Sequence, residues 1–254
     1  MSTVKITVLL AILGLMSGCI TTMEKDAPKM KPEKALETHI RLGLGYIGEN
    51  NLDSARFHLN KAAEIKPSDP GVLNGKGLLY QLEGEPGLAE KAFKEALRRD
   101  RDFTQARLNY ATFLYGKERY QEAYENYEIA SEDLNYDRRA TALYGLGMAA
   151  KKLGRNERAL AAFNHSVLLQ RNFSASHLEL ADFYLQQKDY AKAKQHLTAY
   201  EVYSRPSARS LWLGIQIERI FGNKDKEASQ ALSLKSLYPY SQEYLEYKKS
   251  QGSR

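Results

Sequence analysis

Residues 108–127 read Leu-Asn-Tyr-Ala-Thr-Phe-Leu-Tyr-Gly-Lys-Glu-Arg-Tyr-Gln-Glu-Ala-Tyr-Glu-Asn-Tyr. Two small residues, Ala111 and Ala123, stand twelve apart, and bulky side chains follow them at Leu114 and Tyr127. Gly116-Lys117 breaks the run between them. The same arrangement recurs along the chain. Ala55, Ala89, Ala123, Ala159, Ala193 and Ala228 lie 34, 34, 36, 34 and 35 residues apart. Four residues after each comes a large apolar one: Leu59, Phe93, Tyr127, Phe163, Leu197 and Leu232. Twelve before stand Gly43, Gly77, Ala111, Gly147 and Ala181, with Gln216 the exception. Three further on are Tyr46, Tyr80, Leu114, Ala150 and Tyr184.

A small residue where two helices cross, with a bulky one filling the gap beside it, is the packing signature of stacked helix pairs. The period and the residue types resemble the tetratricopeptide repeat, whose unit is two antiparallel helices. The resemblance implies an all-α, right-handed superhelical solenoid of six tetratricopeptide repeats over residues 36–240, about twelve antiparallel helices in all. First helices should line the concave face and second helices the convex back. The last unit is degraded, because Trp212 and Ala228 fit while Gln216 and Arg219 do not. Two extra residues near Asn135 to Asp137 lengthen the turn before unit four. Residues 241–254 are read as a cap, carried by Tyr244, Leu245 and Tyr247, with a mobile tail from Lys248.

The N-terminus has a different character. Lys5 precedes an apolar run, Ile6 to Met16, too short to span a bilayer comfortably as a helix. Ser17 and Gly18 then lead to Cys19, the only cysteine. Leu15-Met16-Ser17-Gly18-Cys19 resembles a bacterial lipoprotein signal, with Met16 where the family prefers Leu. The resemblance implies removal of residues 1–18 and acyl chains on Cys19. With Ile20 rather than an acid next to the cysteine, it also implies a lipid anchor at the periplasmic face of the outer membrane. Residues 19–35 hold Pro28 and Pro32 among charges and read as a flexible tether. The sixteen residues of Ile20 to Ala35 reach about 50 Å at full stretch.

Composition narrows the function. The 254 residues are 43% hydrophobic and 27% charged, a folded composition. The net charge of +6 is spread along the chain, a weak basis for nucleic-acid binding. A single cysteine excludes an intramolecular disulfide and any paired-cysteine metal site. Gly43-x-Gly45-x-x-Gly48 matches a dinucleotide fingerprint in letters, but it falls inside a repeat helix with no preceding strand, so Gly43 is read as a packing residue. None of His39, His58, His165, His177 and His196 makes a metal-binding spacing, and His39 and His177 occupy equivalent repeat positions. No catalytic, metal or cofactor residues are therefore expected, nor a small-molecule substrate.

What remains is a groove. Counting along the first helices places Ile40, Leu44 and Ile47 of unit one on the inner face. Asn74, Leu78 and Gln81 follow from unit two, and Leu108, Thr112 and Tyr115 from unit three. Units four and five add Tyr144, Met148, Lys151, Leu178, Asp182 and Leu185. The first three units should expose an apolar strip, with Asn74 and Gln81 free to hold a peptide backbone. The alternative is that the chain itself buries these apolar residues.

A lipoprotein signal, a short tether and six repeats, with stretches such as Leu108 to Tyr115 and Ala123-x-x-x-Tyr127, are similar to the pilotins of type IV pilus systems, the PilF/PilW family. That resemblance implies a protein partner, the secretin subunit of the pilus, delivered to the outer membrane and assembled there into multimers. Two other readings stay open. One is a repeat lipoprotein scaffolding peptidoglycan enzymes or outer-membrane protein assembly, and the other is the lipoprotein subunit of a periplasmic enzyme.

Overall fold

The computed structural model describes residues 31–252, and the chain divides into two compact units, 1–35 and 36–254. The expected signal peptide, the lipidation site Cys19 and the tether up to Met30 lie outside the described residues.

Thirteen helices and no strands occur among the described residues. Six pairs follow in order: α1 Pro32–Gly48 with α2 Leu52–Ile65; α3 Pro70–Leu82 with α4 Pro86–Arg99; α5 Thr104–Gly116 with α6 Tyr120–Glu132; α7 Arg139–Lys152 with α8 Asn156–Leu169; α9 Ser174–Gln186 with α10 Tyr190–Tyr203; and α11 Ala208–Ile220 with α12 Lys224–Leu237. A thirteenth, α13 Gln242–Gly252, closes the array. Helix α1 begins at Pro32, inside the segment read as tether. Proline is tolerated at a first helical position, and Glu33 favours the helix start. The tail is also more ordered than expected, since α13 runs to Gly252 and Ser250 accepts a hydrogen bond from Arg219.

Helices of 13 or 14 residues are marginal in isolation, so the pairs are held by packing. Every turn within a pair has three residues, and its middle one has a positive φ: Asn50, Gly84, Glu118, Gly154, Lys188 and Gly222. Turns between pairs have four residues, except the six of 133–138, where the expected insertion sits.

The small positions permit close helix contact. A Cβ on Gly43 would lie 2.8 Å from Leu59, one on Gly77 2.6 Å from Phe93, and one on Gly147 2.5 Å from Phe163. That settles Gly43 as a packing residue. Ala55, Ala89, Ala123, Ala159 and Ala193 are fully buried opposite them.

The sixth unit departs from its expected register. Ala228 is exposed, and Leu232 is 66% exposed. Seven residues before the positive-φ turn residue, where the other units carry Gly43, Gly77, Ala111, Gly147 and Ala181, stands Ile215, and five and nine residues after it stand Glu227 and Ala231. Gly214, one residue before Ile215, packs on the Gln230 side chain, where a Cβ would come within 2.4 Å. The unit is thus one residue out of the expected register, with a large Ile215 at the small first-helix position and a small Ala231, 7% exposed, at the bulky one. This hides the unit from a search for Ala and Leu.

Candidate functional site

First helices of neighbouring units touch one another, as α3 with α5, α5 with α7 and α9 with α11, while second helices show no comparable contact. The array is therefore tighter on the first-helix side. That side is its inner face.

The inner face has two halves. In the first, Ile40, Leu44 and Ile47 are half-buried. Ile40 packs on Leu36, Ala62 and Val72, and Ile47 on Ala55, Leu59 and Leu79. Leu78 is partly buried against the core, while Gln81 and Thr112 are exposed. Thr112 donates to the Leu108 carbonyl and accepts from the Tyr127 hydroxyl at 3.1 Å. Tyr115 lies partly buried, edge-on to Tyr120 at 5.2 Å.

Two expected lining residues are not in the groove. Asn74 is only 1% exposed, and its side-chain oxygen accepts from Asn109 at 2.9 Å. Asn109 in turn accepts from Gln105, which accepts from Tyr136. Asn74 thus ends a polar chain that ties unit two to unit three, and it is not free to grip a peptide. Leu108 is 2% exposed and belongs to the core. Both sit where adjacent first helices press together, so tight curvature takes them out of the lining.

The second half is charged. Lys151 of α7 reaches Glu179 at 2.9 Å and Asp182 at 3.3 Å on α9. Arg209 of α11 binds the same two carboxylates, reaching Asp182 at 2.5 Å. Burial would push the carboxyls of Glu179 and Asp182 up. Hydrogen bonds from Arg209, with Lys151 on Glu179 and Gln186 on Asp182, outweigh this and hold both below the usual range. Burial pushes the phenols of Tyr115 and Tyr144 up, with smaller contributions from Tyr120 on Tyr115 and from the Glu179 charge on both. Beyond them a cleft of about 590 Å³ opens between Leu185, Trp212 and Glu243. Met148 is half-buried near the core, and Leu178 and Leu185 pack partly on the unit-five core.

Glu179 and Arg209 were not foreseen. They pair across 30 residues, and no local spacing announces that.

Four of the five histidines form two structural pairs. His39 meets His58 at 3.0 Å and His177 meets His196 at 2.9 Å, in units one and five, with Tyr46 and Tyr184 stacked on the second ring of each pair. Among the described residues, no group of three or more His, Cys, Asp or Glu could hold a metal ion, and no helix is long and apolar enough to cross a membrane.

Models of the tetratricopeptide repeat match residues 36–69, 74–133, 114–177 and 144–209. The chain is 35% identical over 242 residues to the type IV pilus assembly protein PilF of Pseudomonas aeruginosa, covering 94% of this chain and 96% of that one. The chain belongs to the PilF/PilW family of tetratricopeptide-repeat proteins. The P. aeruginosa PilF structure superposes with a TM-score of 0.83 at 35% identity, over 86% of this chain and 99% of that one. The structure of PilW, described as a widely conserved type IV pilus biogenesis factor, gives a TM-score of 0.71 at 22% identity, over 84% and 98% of the two chains, and supports the same fold. Membership of the PilF/PilW family thus covers the whole repeat array, including the degraded sixth unit.

Proposed function

We propose that this chain is a pilotin of type IV pilus biogenesis. Its inner face binds a secretin subunit, and acyl chains on Cys19 hold the pair at the periplasmic face of the outer membrane, where the subunits assemble into multimers. The observation carrying this reading is the 35% identity to PilF along 94% of the chain.

The physical chemistry of the inner face supports it. Leu44, Leu78 and Tyr115 give an apolar strip beside exposed Gln81 and Thr112. Burying roughly 300 Å² of such surface contributes on the order of 7 kcal/mol before ordering costs. That is enough for an amphipathic helix or an extended segment. The ionic half of the face adds register. A segment entering it must match the exposed parts of Lys151 and Arg209 beside Asp182, with Glu179 buried beneath them. Anchoring adds address, because a lipid-held receptor confines its client near one membrane and raises its local concentration without new contacts. Three acyl chains at roughly 0.8 kcal/mol per buried CH₂ make the attachment effectively permanent.

The test is Cys19→Ser in the cell of origin, with fractionation of membranes and gel analysis of secretin multimers. The proposal expects a folded, soluble chain that still captures the secretin, with multimers lost from the outer membrane. Normal multimers there would overturn the addressing role. A soluble chain that captures no secretin would overturn the partner.

A further inference from the structure

One edge of the repeat array has a composition the groove does not explain. The second helices of units four, five and six end in Leu168-Leu169-Gln170-Arg171, Val202-Tyr203-Ser204-Arg205 and Lys235-Ser236-Leu237-Tyr238-Pro239-Tyr240. The first two share one pattern, two apolar residues, a spacer and an arginine, and lie 34 residues apart. Leu168 is 76% exposed, Val202 68% and Tyr240 96%, and Leu169, Tyr203 and Leu237 are exposed as well. In a stack of antiparallel pairs all second helices end on the same edge, so these residues form one stripe. The edge is not apolar throughout. After unit two it carries Arg98, Arg99, Asp100 and Arg101, and after unit three Leu134 stands among Glu132, Asp133 and Asp137.

Charge decides the occupant. Arg171, Arg205 and Lys235 are exposed, and among the described residues no carboxylate pairs with any of them. The acid nearest in sequence, Glu201, is engaged by Lys226 and Gln230. A second copy laid on the same stripe would bring Arg171, Arg205 and Lys235 against their own counterparts, since the acids Glu132, Asp133 and Asp137 of this edge lie outside the stripe, at unit three. The stripe consists of exposed helix ends and turn tips. Leucines and valine that insert, tyrosines at the boundary and unpaired cations beside them suit a flat, anionic, partly apolar surface.

We propose that this edge docks on an anionic phospholipid bilayer, with Leu168, Val202 and Leu237 entering the headgroup region and Arg171, Arg205 and Lys235 binding lipid phosphates. Such docking leaves the inner face free. The groove then opens sideways, parallel to the bilayer, and a bound client is held along the membrane surface.

The experiment uses the full chain with Cys19→Ser, so that a cysteine introduced at one site carries an environment-sensitive fluorophore. Sites are Leu168→Cys, Val202→Cys and, in a turn on the opposite edge, Glu118→Cys. Vesicles are phosphatidylethanolamine with phosphatidylglycerol, or with phosphatidylcholine in its place. The apolar run Ile6 to Met16 can itself partition, so the readout is local: emission shift and quenching by brominated acyl chains. Docking predicts a blue shift and quenching at 168 and 202 but not at 118, weaker on the uncharged vesicles. Arg171→Gln and Arg205→Gln should each reduce the docked-to-undocked ratio about five-fold. No shift at 168 and 202, equal shifts at all three sites, or a concentration-dependent shift without vesicles would each overturn the proposal.

Discussion

Arg209 and Glu179 join unit six to unit five, with both guanidinium nitrogens of Arg209 on the two carboxylate oxygens. Glu179 is buried, so this pair and Lys151 carry its whole charge balance. Removing one partner leaves a buried carboxylate short of donors. Arg209→Met should lower stability by about 2–4 kcal/mol, whereas Arg209→Met with Glu179→Gln should recover at least half of it. Urea denaturation checks both. Because Glu179 and Asp182 titrate below their usual range in the fold, their contribution is complete at neutral pH. It is lost as pH falls through those lowered values.

His177 and His196 give a second pH response, in a different window. Nε2 of His177 donates to the Arg171 carbonyl, so its Nδ1 accepts and His196 Nδ1 donates. Burial, then the neighbouring His177 and Lys192, push His196 down to about 4. The unfolded chain therefore binds a proton that the fold refuses between pH 6.5 and about 4, and stability falls as pH drops through that range. The ring is partly solvated, so the effect is discounted to about 1–2 kcal/mol. His196→Gln should flatten thermal stability between pH 6.5 and 4.5, while wild type declines.

Two glycines in first helices should respond in opposite directions to the same change. A Cβ at Gly145 would sit 2.3 Å from the Tyr127 ring, whereas nothing lies within 4 Å of one at Gly45. Gly145→Ala should cost about 1–3 kcal/mol by forcing α7 away from α6. Gly45→Ala should stabilise by up to about 1 kcal/mol through helix propensity. Chemical denaturation of the two variants beside wild type separates them.

Gln230 buries an amide whose oxygen has no hydrogen-bond partner. Gln230→Leu removes that unpaired group from the packing between α11 and α12. It should stabilise the C-terminal end by about 1–2 kcal/mol, read as slower hydrogen exchange in α11 and α12.

The sequence carried the helix pairs because their crossings depend on residue size, which letters record directly. Gly43, Gly77 and Gly147 are legible for that reason, as is the longer turn at 133–138. Unit six was misplaced by one residue because Ile215 and Ala231 reverse the size code. The groove was legible in outline only. Counting along a helix gives a direction, so Leu44, Gln81 and Thr112 fall on the inner face as expected. It does not give the curvature that buries Asn74 and Leu108. The ionic half depended on Glu179 finding Arg209 one repeat away, a tertiary match with no local pattern. The lipid anchor rests on residues before Lys31.

The account stands or falls on whether the inner face grips the secretin. The direct measurement is a titration of the purified chain with the secretin of the same cell, for wild type and for Leu44→Glu with Gln81→Glu, two lining residues outside the core. The prediction is saturable binding by wild type and a loss of at least about ten-fold in affinity for the double variant, with denaturation midpoints unchanged. Equal affinity of the two folded proteins would contradict it.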